Sequence, residues 1–189
     1  MLPEMVVSEF DSTLHVLPFT MSPHRATWED LEAIFGGTAE RKSMLYVARG
    51  RLEAMIADSV PVAAVWVNGS FVTSKQKPSD IDVVVIIDGP RVAELWQSGL
   101  VPSEELMERI RHYEEQRYEP GGTATQHLTD FHYARWYPEG HGLHASSYGE
   151  LEYWSSCWSR VKVESDAHTG EVPDFKRYAD SKGFVEVRW

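Results

Sequence analysis

The chain has one cysteine, Cys157, in 189 residues, so no intrachain disulfide can form and zinc sites built on cysteine pairs are excluded. That residue reads as a small buried apolar group in a reducing compartment. Long apolar runs are missing as well. The longest, Val83 to Ile87 with its flanks, falls far short of the ~20 residues of a membrane-spanning helix. No basic segment followed by an apolar one opens the sequence. A soluble, cytoplasmic protein without membrane contact is the expectation. Positive charge is scarce: 18 Lys and Arg face 29 Asp and Glu, a net charge of −11. The whole-molecule field therefore repels polyanions, which excludes general coating of nucleic acid. A local basic groove, a partner with a basic face, or metal ions neutralising clustered carboxylates all remain compatible. Internal repeats and low-complexity segments are absent too, and proline and glycine punctuate short periodic stretches.

What is there fits one compact domain, read as an N-terminal helical extension over 1–60, a core over 61–135, and a C-terminal helix and strand over 136–189. Residues 1–26 read as extended or irregular. Thr27, with Asp30 at the capping-box position, predicts a helix ending at Gly36-Gly37, with Trp28, Leu31, Ile34 and Phe35 on its apolar side. Thr38 predicts a second helix to about Asp58, along which Leu45, Ala48, Leu52 and Ile56 recur at helical spacing. Val62 to Val67 is a continuous apolar run between Pro61 and Asn68-Gly69, as in a strand covered on both faces, and Ile81 to Ile87 repeats the signature. Helices follow over Pro90 to Ser98 and Pro102 to Tyr118, the second burying Leu106, Ile110 and Tyr113. A third strand is predicted over Thr125 to Tyr133. Ser147 with Glu150 suggests a capping box opening a helix with Leu151, Trp154 and Trp158 inside, and Phe184 to Arg188 a short last strand. The expected class is α/β or α+β, with a small mixed sheet flanked by helices.

The chemistry concentrates between the first two apolar strands. Gly69 lets backbone N–H groups approach an anion and Ser70 adds a hydroxyl, so this turn suits a phosphate. Asp80 and Asp82, one residue apart on a strand, turn both carboxylates to one face. Two adjacent carboxylates repel unless a cation lies between them, and hard oxygen ligands of this kind suit Mg²⁺ that also binds substrate phosphates. The structural alternative is a pair of solvated acids where a strand leaves the sheet.

A Gly-Ser turn, a gap over Phe71 to Ser79, then Asp80-Ile81-Asp82 on a strand resembles the signature of the DNA polymerase β-like nucleotidyltransferase superfamily. The helical lead-in, Gly-Ser-Phe-Val-Thr-Ser-Lys and the closing Lys182-Gly-Phe-Val-Glu-Val resemble small stand-alone bacterial or phage members, including those of toxin–antitoxin pairs. The resemblance implies transfer of a nucleoside monophosphate from an NTP to a hydroxyl. The acceptor could be an RNA or tRNA 3′ end, a protein side chain or a small molecule, and an antitoxin is an implied partner. It also implies two Mg²⁺ ions held by Asp80, Asp82 and a third carboxylate from a later strand. Asp130, in Gln126-His-Leu-Thr-Asp-Phe-His-Tyr133, is the best match, and Glu119 and Glu139, each beside a proline in an apparent turn, are poorer. Many toxin–antitoxin members carry a basic residue shortly after Gly-Ser, where this chain has Thr73 and Ser74. Lys75 and Lys77 are candidates to supply that charge to the triphosphate.

Other readings compete. Lys182 is expected to be solvated. His127 and His132, five apart, should point to opposite faces of a strand and not share a metal, while His141 and His144 should bond locally or contact substrate. Tyr133, Trp136, Tyr137, Tyr148, Tyr153, Trp154 and Trp158 can stack on a base or simply form core. The rival functions are a catalytically inactive regulator or antitoxin on the same fold, and a metal-dependent hydrolase using the histidine-rich segment.

Overall fold

A computed structural model describes residues 17, 22–73, 75, 77–116, 128–159 and 182–187. The elements run β1 (His24–Ala26), α1 (Trp28–Phe35), α2 (Ala39–Ala57), β2 (Val62–Asn68), a 3₁₀ turn (Gly69–Val72), β3 (Ile81–Asp88), α3 (Gly89–Ser98), α4 (Ser103–Glu115), β4 (Thr129–Trp136), α5 (His144–Trp158) and β5 (Val185–Val187). The strands form one mixed sheet in the order β1-β5-β2-β3-β4. β2 is antiparallel to both β3 and β5, whereas β3 runs parallel to β4 and β1 parallel to β5. The fold is α+β.

Alternation along β2 and β3 explains why their sequences are apolar throughout. Val65, Val67, Val83, Val85 and Ile87 face a core built with α1, α2 and α4, including Leu31, Leu52 and Ile110. Ala64, Trp66, Val84 and Ile86 face the other way, toward Trp158 and Phe184, with Leu151 and Trp154 packed alongside. One row of the sheet thus contacts the three helices and the other contacts α5.

The local chemistry of the first helices is as expected. Thr27 and Asp30 form a reciprocal capping box, and Thr38 accepts from Arg41 N at the start of α2. On α2, however, Ile56 is exposed, while Met44, Met55 and Arg41 share the buried face with Leu45, Ala48 and Leu52. The capping box expected at Ser147 is absent. α5 starts at His144, Ser147 Oγ donates to the His144 carbonyl, and Glu150 accepts instead from Arg135 N on β4. Within the stretch expected to be extended or irregular, His24–Ala26 is extended and pairs with β5 as the short strand β1.

No helix among the described residues is long and apolar enough to cross a membrane.

Candidate metal and phosphate site

The site forms at the end of the sheet where β2 stops and β3 and β4 begin. Asp82 is paired with Asn68 across the antiparallel ladder and with Asp130 across the parallel one. Three polar residues therefore lie abreast on adjacent strands, about 4.8 Å apart in the ladder direction. They occupy the face that α5 covers. One step inward on β4 lies His132, in register with Val84, only 8% exposed, with its ring 4.2 Å from that of Trp154 on α5. Its Nε2 is 3.2 Å from Asp130 Oδ2. Asp82, Asp130 and His132 each present a ligand atom within 4.8 Å of the others. Two carboxylate oxygens and an imidazole nitrogen make an appropriate donor set for a divalent cation.

The turn after β2 completes the arrangement. Gly69 has φ +77°, a conformation costly for any residue with a Cβ. The space is also taken, since a Cβ built there would lie 1.8 Å from Asp82 Oδ2 and 2.9 Å from its Cγ. The glycine thus lets the turn close directly over the carboxylate. Beside it, Ser70 Oγ is buried and has no hydrogen-bond partner among the described residues. A buried hydroxyl left unsatisfied is costly unless something arrives to bond it. From the other side Arg41, itself buried, donates to the carbonyls of Phe35, Phe71, Thr73 and Lys75. One planar guanidinium on α2 thus fixes the path of the chain beyond the turn. Burial lowers its pKa.

Several expected residues stand apart. Asp80 precedes β3 by one residue, is half-buried, accepts a 2.8 Å hydrogen bond from Ser79 Oγ, and is not part of the Asp82–Asp130–His132 group. Lys75 and Lys77 are exposed, and the latter contributes charge near Glu40. Glu139 lies in the turn beyond the far end of β4, remote along the strand from Asp130. Glu119 and His127 lie outside the described residues. His141 and His144 bond locally, to Leu143 N and the Tyr137 carbonyl. Of the aromatic set, Trp154 and Trp158 pack on the sheet, Tyr133 bonds Arg51, Tyr137 stacks on His141, and Trp136, Tyr148 and Tyr153 are exposed.

Two site residues escaped the sequence reading. His132 shares the face of Asp130 because they are two apart on one strand, the same parity that aligns Asp80 with Asp82. Lys182, expected to be solvated, is 7% exposed. Its Nζ donates to Asn68 Oδ1, and Asn68 Nδ2 donates in turn to the Trp158 carbonyl. Burial pushes the Lys182 ammonium down to about 8, with the nearby Asp82 carboxylate acting in the opposite sense.

A family model matches residues 8–188. The chain belongs to DUF6932, a family of unknown function. No curated protein and no solved structure matches it. Membership in DUF6932 names no reaction, so any function has to be argued from the geometry.

Proposed function

We propose that this DUF6932 protein is a divalent-cation-dependent nucleotidyltransferase that moves a nucleoside monophosphate from an NTP to a hydroxyl acceptor. One observation carries the reading: the Gly69-Ser70 turn closes on Asp82, with no room for a Cβ, while Asp82 and Asp130 stand side by side on parallel strands. A phosphate cradle and a cation-binding pair are thereby in contact, which solvated surface acids would not require. The Ser70 hydroxyl, without a hydrogen-bond partner among the described residues, supports it as a donor for an anionic oxygen.

Asp82, Asp130 and His132 would hold the cation, with Mg²⁺ the expected ion and Asp80 within one strand step if it leaves Ser79. When bound, the cation supplies positive charge against the triphosphate and eases deprotonation of the attacking hydroxyl. The backbone N–H groups of the turn and Ser70 Oγ donate to phosphate oxygens. The acceptor oxygen forms a bond to the α-phosphorus, the bond from that phosphorus to the bridging oxygen breaks, and pyrophosphate leaves with the electron pair. Asp130 receives the hydroxyl proton, its carboxylate oriented by His132. The acceptor is an RNA 3′ end such as that of tRNA, a protein side chain or a small molecule. The reading sets the enzyme in the cytoplasm, with an antitoxin as a candidate partner.

The imidazole in the cluster favours one second reading, hydrolysis at the same cluster with water as acceptor. Incubation of the protein with each α-labelled NTP, Mg²⁺ or Mn²⁺, and total cellular RNA or protein separates them. Label entering an RNA or protein fraction, and lost with Asp82→Asn, is the expected result. Release of labelled monophosphate without a labelled acceptor favours the hydrolase. No turnover of any NTP with either ion removes both.

A further inference from the structure

Of the described lysines, Lys42, Lys75 and Lys77 are exposed and Lys182 alone is buried. Its amine donates to Asn68 Oδ1, and the Asp82 carboxylate nearby favours the charged form. A Met or Leu fills such a position without the cost of desolvating an ammonium. The backbone holds the residue from both sides: Lys182 N donates to the Ser159 carbonyl and Gly183 N to that of Leu17, each at 2.9 Å. The side chain is directed to Asn68, the last residue of β2, immediately before Gly69 and in register with Asp82. The Asn68 amide is oriented by its own bond to Trp158, so its oxygen is turned to the lysine. An ammonium has three donors, and among the described residues one acceptor takes one of them. A fixed cation with donors to spare among the described residues thus stands at the start of the phosphate turn, held by Asn68 and close enough to Asp82 to feel its charge.

We propose that Lys182 is the second cation of the site: its ammonium binds the β- and γ-phosphates of the NTP, supplying from the chain itself the charge that a second metal ion would bring. This rests on the nucleotidyltransferase reading and narrows it to one metal ion and one lysine. The Asp82–Asp130–His132 group can hold one cation, and Lys182 reaches Asn68 from the segment leading into β5, the strand on the other side of β2 from β3. The lysine makes and breaks no covalent bond and keeps its proton. As pyrophosphate departs with the electron pair of the broken P–O bond, the ammonium hydrogen bonds strengthen on oxygens that gain charge.

The test uses the full chain with Mn²⁺ and compares the parent with Lys182→Met and, as a polar isostere, Lys182→Gln. Calorimetry gives the affinity for each NTP and its monophosphate, and electron paramagnetic resonance the affinity for Mn²⁺ alone. The parent should prefer triphosphate over monophosphate by about tenfold or more, the scale of one charge-assisted contact. In both variants that preference should fall about tenfold, the part owed to the lysine, while monophosphate and Mn²⁺ bind at least as well as in the parent. A preference unchanged in the variants overturns the assignment of Lys182 and leaves the nucleotidyltransferase reading intact. So does loss of Mn²⁺ binding along with it, or failure of both variants to fold, since each makes the lysine structural. A parent that binds no nucleotide at all removes the underlying reading and this one together.

Discussion

Gly69→Ala tests the close approach on which the site depends. Two independent penalties act at this residue. The first is conformational: φ is +77°, and a non-glycine residue in the left-handed region costs about 1–2 kcal/mol. For a chain of this length that corresponds to a fall in Tm of about 2–8 °C. The second is steric and falls on Asp82. The new methyl would stand 1.8 Å from Oδ2 and 2.9 Å from Cγ, so a small pivot of the carboxylate is not enough and the whole group must swing away. β3 cannot follow, because it is bonded to β2 on one side and β4 on the other. Asp82 therefore leaves the group it forms with Asp130 and His132. Mn²⁺ affinity should fall at least about tenfold, and nucleotide transfer by about 10²–10³, as for loss of one electrostatic contact to the transition state. Calorimetric unfolding, Mn²⁺ titration by electron paramagnetic resonance and the label-transfer assay read the three quantities separately. A variant that is destabilised as expected yet binds Mn²⁺ like the parent would show that Asp82 takes no part in binding the cation.

The carboxylates should differ in importance. Asp82→Ala should abolish transfer and Mn²⁺ binding, Asp130→Ala should abolish transfer while nucleotide still binds, and Asp80→Ala should cost least because Asp80 lies outside the group; equal losses for Asp80 and Asp82 would place Asp80 on the cation. An imidazole ligand suits Mn²⁺ better than Mg²⁺, so His132→Gln should lower Mn²⁺ affinity about tenfold and Mg²⁺ affinity less. Equal effects on the two ions would show that His132 orients Asp130 without coordinating. Away from the site, burial and then the hydrogen bond to Asp58 raise the Tyr113 hydroxyl from 10.0 to about 12. A folded pKa above the unfolded one gives stability that is full below pH 10 and lost as pH rises toward 12. Tyr113→Phe should therefore cost about 1 kcal/mol at neutral pH, with the gap to the parent closing over that alkaline range in denaturant titrations.

Local chemistry made much of the fold legible. The Thr27 and Thr38 caps announce their helices because they satisfy orphan N–H groups within one turn, and the apolar runs of β2 and β3 announce strands buried on both faces. The pairing of β1 and the start of α5 have no such local cause. β1 is extended because β5 is there to pair with it, and α5 starts at His144 rather than at Ser147 because Glu150 is engaged by β4 instead of by a cap. Contacts remote in sequence override local preference at both places.

The site divides along the same line. Asp82 beside the Gly-Ser turn is readable because one connection between two strands holds both. Asp130 is readable only as an acid of correct parity on a later strand, and its placement against Asp82 depends on the parallel register of β3 and β4. His132 shares that parity, and comparison with His127 hides its partner, Asp130, two residues before it. Lys182 lay beyond sequence reasoning altogether. A single lysine reads as solvated, and only the insertion of β5 between β1 and β2 brings this one beside Asn68. Its burial follows from what packs there: its backbone N–H bonds the Ser159 carbonyl at the end of α5 and its amine bonds Asn68 at the end of β2. The ammonium is then held beside Asn68 and near Asp82 against its own desolvation, and under the proposed function the triphosphate would add a further anionic partner.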